Sequence, residues 1–241
     1  MELRPDEQIV DLQYAGLRLI QNKDVLKFGT DSVLLSSFVQ VRKKERLVDL
    51  GTGTGIIPIL LSGRVQAEMI GVEIQPQAAE LARRNVELNG LHNVRILQAD
   101  LKEAPSLIGQ VDVVCTNPPY DKPQAGEMKE SETLRIARYE LACTLEDVVQ
   151  SAAALLSTGG RFYMIHRSYR LAEIIYAMKQ HRLEPKEIRP ICKNAGAEPR
   201  YVLIKAIKDS AEGMRLLPAL ILYRPDGQYT PEMRAIYHME E

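Results

Sequence analysis

The 241-residue chain carries 31 basic against 32 acidic side chains, with 45% hydrophobic and 5% aromatic residues. That balance excludes a disordered chain and any class defined by bulk charge, and it suits an α/β protein large enough to bury a sizeable core. Three cysteines far apart (Cys115, Cys143, Cys192) and four histidines without ligand spacing argue against a disulfide framework or a zinc site, and fit a reducing compartment.

Met1–Asp6 lacks the build of a secretory leader, and no apolar run approaches a membrane span, so a cytoplasmic protein is expected. Two extended pieces, Leu17–Gln21 and Val25–Phe28, are separated by Asn22-Lys23-Asp24, a spacing that suggests a hairpin. Thr30 or Asp31 offers a side-chain oxygen to cap a helix from Ser32 to about Val39. The charged run Arg42–Arg46 reads as a solvated helix end rather than a nucleic-acid contact.

A regular alternation follows. Leu47–Leu50 reads as a strand, Gly51–Gly55 as a glycine turn and Ile56–Ser62 as a helix. Glu68–Glu73 is a second strand before a helix from Gln77 to Asn89, Val94–Gln98 a third, and Val111–Thr116 a fourth. Helical patterns reach about Leu156, then come a strand over Arg161–Ile165, a helix from about Tyr169 to Gln180, and strands over Lys186–Cys192 and Tyr201–Ile207. A further strand is possible at Ala219–Tyr223, with a turn at Pro225-Asp226-Gly227. Strands spaced by helices imply a mostly parallel sheet with right-handed crossovers; the last pair, joined without a helix, implies an antiparallel edge strand. The expectation is a Rossmann-like, mostly parallel seven-stranded sheet. Residues 1–45 form an N-terminal extension of hairpin and helix, 46–208 the main domain and 209–241 a C-terminal extension of it.

The fourth strand runs into Asn117-Pro118-Pro119-Tyr120. Proline removes a backbone donor and holds the residue before it extended, so this is a rigid corner carrying a carboxamide, an unladdered carbonyl and a flat ring. Those are the parts needed to hold a planar amino group by its hydrogens and to stack the plane behind it. Upstream, the turn reads Gly-x-Gly-x-Gly, which lets a ligand approach the backbone at the carboxyl end of the sheet. Glu73 ends the next strand 22 residues past Gly51, where a carboxylate can accept both hydroxyls of an adenosine ribose. Asp100, after the third strand, is placed to receive an adenine amine. The tight turn suits a nucleoside cofactor without a pyrophosphate.

Val48–Gly55 with Glu73, Asp100 and Asn117–Tyr120 resembles the class I S-adenosylmethionine-dependent methyltransferases, and the Asn-Pro-Pro-Tyr corner is similar to the branch that methylates adenine N6, guanine N2 or glutamine N5. Phe28–Leu35, Ile136–Glu140, Ile165-His166-Arg167 near Arg170-Leu171, and Gly227–Thr230 resemble the bacterial tRNA1(Val) (adenine(37)-N6)-methyltransferase family. The resemblance implies S-adenosylmethionine as cofactor, S-adenosylhomocysteine as its product, and no metal. It further implies cofactor contacts from Phe28, Gly29, Thr30, Asp49, Gly51, Gly53, Gly55, Glu73, Asp100 and Asn117, and catalytic roles for Asn117, Pro118 and Tyr120. Two acceptors, the Asn117 oxygen and the Pro118 carbonyl, would draw the amine toward a pyramidal geometry while Tyr120 stacks on the base.

From Arg161 to Lys208 there are eleven Lys/Arg against four Asp/Glu, in a chain whose net charge is −1. Such asymmetry is what a polyanion-binding face looks like. His166, Arg167, Arg170, Lys186, Arg189, Lys193 and Arg200, with Lys205, are the candidate RNA contacts, and the loop from Asp121 to Glu132 is placed to order over a flipped nucleotide. The expected partner is nucleic acid, tRNA by the resemblance, with no membrane and no obligate protein partner. Guanine-N2 methylation of ribosomal RNA, glutamine-N5 methylation of protein, and a non-catalytic RNA-binding protein stand as alternatives. Fewer than 50 residues precede the cofactor motif that starts at Val48, which weighs against the glutamine reading.

Overall fold

A computed structural model describes residues 3–22, 29–118 and 143–239. Its central sheet is built from β3 (Arg46–Leu50), β4 (Glu68–Glu73), β5 (Val94–Gln98), β6 (Val111–Thr116), β7 (Leu156–Arg167), β8 (Leu183–Cys192) and β9 (Pro199–Lys208). The spatial order is β8-β9-β7-β6-β3-β4-β5. Strands β3 to β7 pair in parallel, while β9 is antiparallel to both of its neighbours. The α/β sheet therefore matches the expectation, but the antiparallel strand is not at the edge. It inserts between β7 and β8, because the short loop after β8 returns the chain directly beside it. Two two-residue strands, β10 (Arg215–Leu216) and β11 (Leu220–Ile221), then pair with the outer side of β8.

β3 is buried along nearly its whole length because helices cover both faces of the sheet, and its side chains divide by pleat. Val48 and Leu50 face a core completed by Val72, Val114, Phe162 and Met164. The helices α4 (Ala104–Ile108), α5 (Leu145–Leu155) and α6 (Leu171–Gln180) pack on that side. Leu47 faces the other core, with Met69, Val113, Cys115 and Tyr163, under α1 (Thr30–Phe38) and α2 (Ile56–Ser62). The remaining long helix, α3 (Pro76–Leu88), starts on a proline at its first turn and stops at Asn89-Gly90, where Gly90 takes a φ of +60°.

Several local expectations are corrected. The hairpin partner of β2 (Arg18–Asn22) is β1 (Glu7–Asp11), a pairing not read from the sequence; Val25–Phe28 lie outside the described residues. The cap of α1 is Gly29, not Thr30 or Asp31. Asp31 sits inside the first turn, where its Oδ1 accepts from the Ser32 N–H at 3.0 Å, so its charge still serves the helix N-terminus. The expected helix from Tyr169 is split, with a 3₁₀ turn at Ser168–Arg170 before α6, and α4 was not anticipated. Arg42–Arg46 is not a helix end: α1 stops at Phe38, Arg46 opens β3, and the run makes protein contacts, the Arg42 N–H donating to Glu45, Glu45 pairing with Arg161, and the Arg46 side chain meeting Glu68 and the Gln110 carbonyl.

The β1–β2 hairpin is held to α3 by the Arg84–Glu7 ion pair, by Asn89 bonded to the Arg18 backbone, and by the buried Asn85. Asn85 Oδ1 accepts from the Ile20 N–H at 2.6 Å, and its Nδ2 donates to the Thr54 carbonyl at 3.0 Å, so the hairpin and the glycine turn share an anchor. A short helix, α7 (Pro231–Ile236), ends the described chain and packs on β11 and α1. Among the described residues no helix is long and apolar enough to cross a membrane.

Candidate active site

The strand order runs outward from β3 in two directions, so a crevice opens at the carboxyl ends of β3 and its neighbours. The glycine turn leaves β3, Glu73 ends β4, Asp100 follows β5, and Asn117-Pro118 leaves β6. Parallel pairing in register brings these four strand tips to one side.

The turn is tightly specified. Gly51, Gly53 and Gly55 have φ values of +71°, +57° and +83°, a region that side chains with a Cβ rarely occupy. The Gly51 and Thr52 N–H groups both donate to the Val72 carbonyl at 2.9 Å, and the Gly55 N–H returns to Thr52 at 3.0 Å. Behind the turn, Thr52 Oγ1 donates to Asp49 Oδ2 at 2.6 Å. Asp49 is fully buried, and loss of hydration is the main reason its carboxyl is pushed up to about 7; the Thr52 and Cys115 hydrogen bonds oppose the rise. Its other oxygen lies 3.5 Å from Cys115 Sγ, whose thiol burial pushes well above its ordinary range. Thr52 fits only because β4 has a glycine beneath it: a Cβ on Gly71 would lie 2.7 Å from Thr52 Cγ2.

Glu73 is buried and braced on both oxygens. The Gly53 N–H donates to Oε2 and the Gln75 N–H to Oε1, each at 2.9 Å. Burial raises its carboxyl above the ordinary value, and the backbone donors work against that. A carboxylate offers about four lone-pair sites, so these backbone donors do not exhaust its capacity to accept a hydroxyl. Asp100 is more open; its Oδ1 accepts from the Lys102 N–H at 2.9 Å and its Oδ2 lies 3.4 Å from Lys102 Nζ.

At the corner, Thr116 Oγ1 donates to the Leu50 carbonyl at 2.8 Å, tying β6 to β3 just before the turn. Asn117 is half-buried, with Nδ2 donating to Ser32 Oγ at 3.0 Å, and Pro118 is buried. Pro119, Tyr120, the loop from Asp121 to Glu132 and Phe28 lie outside the described residues. Gly29 and Thr30 open α1, the helix that carries Ser32. Thr30 Oγ1 in turn accepts from Tyr237 Oη at 3.2 Å, and Tyr237 stacks on Tyr229 (centroids 5.4 Å apart), which stacks on Tyr223 (5.2 Å). Sequence reasoning did not single out Ser32, Asn85, Gly71 or Tyr237. Ser32 was legible only as one letter of the Phe28–Leu35 stretch, and the other three gave no local signal.

The basic candidates separate. His166 is buried at the end of β7, with Nδ1 accepting from the Arg167 N–H at 2.8 Å. Arg170 is buried and forks onto Glu173 at 2.9 and 2.6 Å. Lys186 donates to the Ala211 carbonyl, Arg189 engages Glu232 and the Pro218 carbonyl, and Lys205 lies 3.7 Å from Glu187; none of these three is at the carboxyl end of the sheet. Arg167, Lys193 and Arg200 are at that end, the first with its guanidinium 4.6 Å from the Tyr201 ring centroid.

The chain is similar to curated proteins over most of its length. It is 29% identical to a tRNA1(Val) (adenine(37)-N6)-methyltransferase of Porphyromonas gingivalis, over 86% of this chain and 85% of that protein. Another bearing that name, from Tolumonas auensis, is 27% identical over 90% of each. Among solved structures, one titled a predicted O-methyltransferase from Agrobacterium tumefaciens superposes with a TM-score of 0.70 at 26% identity, covering 86% of this chain and 95% of that one. A 16S rRNA N2 G1207 methyltransferase of T. thermophilus, solved with AdoMet and guanosine, shares the fold at a TM-score of 0.62 and 21% identity, over 86% of this chain and 52% of that one. The sequence pattern of the methyltransferase small domain matches residues 22–182, more than half of the chain, and the chain belongs to that methyltransferase family.

Proposed function

We propose that this methyltransferase uses S-adenosylmethionine to methylate an exocyclic amine of a nucleic-acid base, adenine N6 in tRNA, through residues 46–208, with 1–45 and 209–241 as extensions of that unit. The observation that carries the reading is the convergence at adjacent strand tips of the glycine turn, Glu73 and the anchored Asn117 carboxamide. The names of relatives matched along most of their length, from Porphyromonas gingivalis, Tolumonas auensis and Histophilus somni among others, support the choice of substrate.

The residues suit the cofactor. A Cβ built on Gly51 or Gly53 meets no atom within 4 Å, so the turn faces open space rather than packed protein. Gly51, Gly53 and Gly55 would hold the cofactor against their backbone, Glu73 the ribose hydroxyls, and Asp100 the adenine amine, with Gly29 and Thr30 (and Phe28) on the α1 side. Asp49, fully buried, contributes from behind by fixing Thr52. When bound, S-adenosylmethionine supplies a methyl group on a positively charged sulfur, an electrophile open to a well-placed lone pair.

The remaining work belongs to the corner. An exocyclic adenine amine is a weak nucleophile because its lone pair is delocalised into the ring. Asn117 Oδ1 and the Pro118 carbonyl accept its two N–H bonds and favour the pyramidal nitrogen. The Ser32 hydroxyl accepts from Asn117 Nδ2, which sets the direction in which the carboxamide points. Tyr120 fixes the base plane by stacking. Catalysis is chiefly positioning, and no side chain needs a strongly shifted pKa, since the nitrogen's proton turns acidic as the new bond forms.

The test is methyl transfer from labelled cofactor to total tRNA and ribosomal RNA, followed by nucleoside analysis. Label in N6-methyladenosine from tRNA is expected. Label in N2-methylguanosine, or no label in RNA, overturns the substrate.

A further inference from the structure

We propose that the turn after β7 and the tip between β8 and β9 form a rim that grips the RNA strand flanking the target base, with Tyr169 as the stacking platform and Lys193 and Arg200 as the phosphate contacts. This rests on the RNA reading above.

Position comes first. Thr116 of β6 lies opposite Met164 of β7, so the strand carrying Asn117 leaves the sheet beside the strand that continues into Arg167 and Ser168–Arg170. β8 ends at Cys192 and β9 begins at Pro199, so the loop between them projects from the same end of the sheet. The Ser168 hydroxyl donates to the Pro199 carbonyl, and the Arg167 guanidinium covers Tyr201, so the turn is fastened to the start of β9. On this fastened turn Tyr169 is 65% exposed.

Charge comes second. Six of the eleven cations of the basic segment are already matched by carboxylates: Arg161 by Glu45, Arg170 by Glu173, Lys179 by Glu184, Arg182 by Asp209, Arg189 by Glu232, and Lys205 by Glu187. Lys193 and Arg200 are exposed, and their side chains make no ion pair or hydrogen bond with any described residue. Lys186 and Lys208, away from the rim, have no carboxylate either but donate to the Ala211 and His181 carbonyls, so the cations left without any side-chain partner are at the rim, where Glu198 is the one acidic residue of the loop. An exposed ring on a rigid turn beside unmatched cations suits a single-stranded or looped nucleic acid, whose bases stack and whose phosphates need partners.

Binding of fluorescently labelled, in vitro transcribed tRNA to the full-length protein, measured by anisotropy against salt, tests this. Tyr169→Ala is expected to weaken binding about tenfold and Tyr169→Trp to preserve it, as stacking requires. The double variant Lys193→Ser/Arg200→Ser is expected to lower the magnitude of the log–log salt slope by about 1.5, and Lys43→Ser, at the opposite end of the sheet, to leave it unchanged. S-adenosylmethionine affinity, by calorimetry, stays at the wild-type value in all of them. Wild-type tRNA affinity and salt slope in the rim variants overturn the rim alone. Absence of tRNA binding by the wild-type protein overturns the RNA reading and the rim together.

Discussion

The Asn117 side chain donates through Nδ2 to the hydroxyl of Ser32, 85 residues earlier in the chain, at 3.0 Å. An amide held by its nitrogen presents its oxygen in one direction, and the proposed chemistry needs that oxygen as an acceptor. Ser32→Ala is therefore expected to lower the single-turnover methylation rate about tenfold, the loss of about one hydrogen bond's worth of orientation. Asn117→Ala is expected to abolish turnover. Neither should shift cofactor affinity more than about twofold by calorimetry; a large shift would reassign both residues to cofactor binding.

Glu73 joins the glycine turn to β4 through Gly53 and Gln75. Its removal takes away the proposed ribose acceptor and loosens Gly53 at once. Glu73→Ala should weaken S-adenosylmethionine by about 2 kcal/mol, roughly thirtyfold, in a titration. At saturating cofactor the rate should largely recover. A pure rate defect with unchanged affinity would contradict the assignment.

The buried Asp49 predicts a pH dependence of stability. Its carboxyl titrates near 3.8 when hydrated and at about 7 in the fold, so folding takes up a proton between those values. For a raised acid the sign is fixed: unfolding free energy falls as pH rises through that window, by up to about 1.4 kcal/mol per unit, and is flat above it. Asp49→Asn removes this contribution. Denaturant melts at pH 5, 6, 7 and 8 should show the variant gaining on the wild type up to about pH 7 and then holding level. Glu73, also raised by burial, adds the same sign to both proteins and cancels in the comparison. A constant difference at every pH would show that Asp49 stays ionised.

Gly71 has ordinary backbone geometry and is required for space alone. A Cβ there would meet Thr52 Cγ2 at 2.7 Å, Thr52 Oγ1 at 2.8 Å and Ile96 Cδ1 at 2.9 Å. Gly71→Ala is expected to cost about 1–3 kcal/mol by denaturant melt and to weaken the cofactor by displacing Thr52 from Asp49. Adding Thr52→Ser, which deletes the nearest methyl, should recover part of the stability; no recovery would place the clash elsewhere.

The sequence by itself determined the periodic part of this protein. Buried parallel strands read as apolar runs, and β4, β6 and α2 fall on the residues their patterns mark, because burial on both faces leaves little choice of residue type; β5, the outer strand, also falls on its expected residues although only Val94 in it is buried. The glycine turn, Glu73, Asp100 and the Asn-Pro-Pro-Tyr corner were legible for a related reason: each sits at a strand end, where a backbone requirement or a functional group appears as a local string. What only the tertiary structure decided depends on residues distant in sequence. The β1–β2 pairing escaped notice because β1 (EQIVD) is a short, mostly polar strand. The place of β9 depends on sheet order, which a strand's own residues do not encode. Ser32 under Asn117, Gly71 under Thr52, and Asn85 between Ile20 and Thr54 are each ordinary residues in their own segments. Likewise a count of charges marked the segment from Arg161 to Lys208 as basic, but only the packing showed which cations are matched by carboxylates and which, Lys193 and Arg200, are left facing solvent.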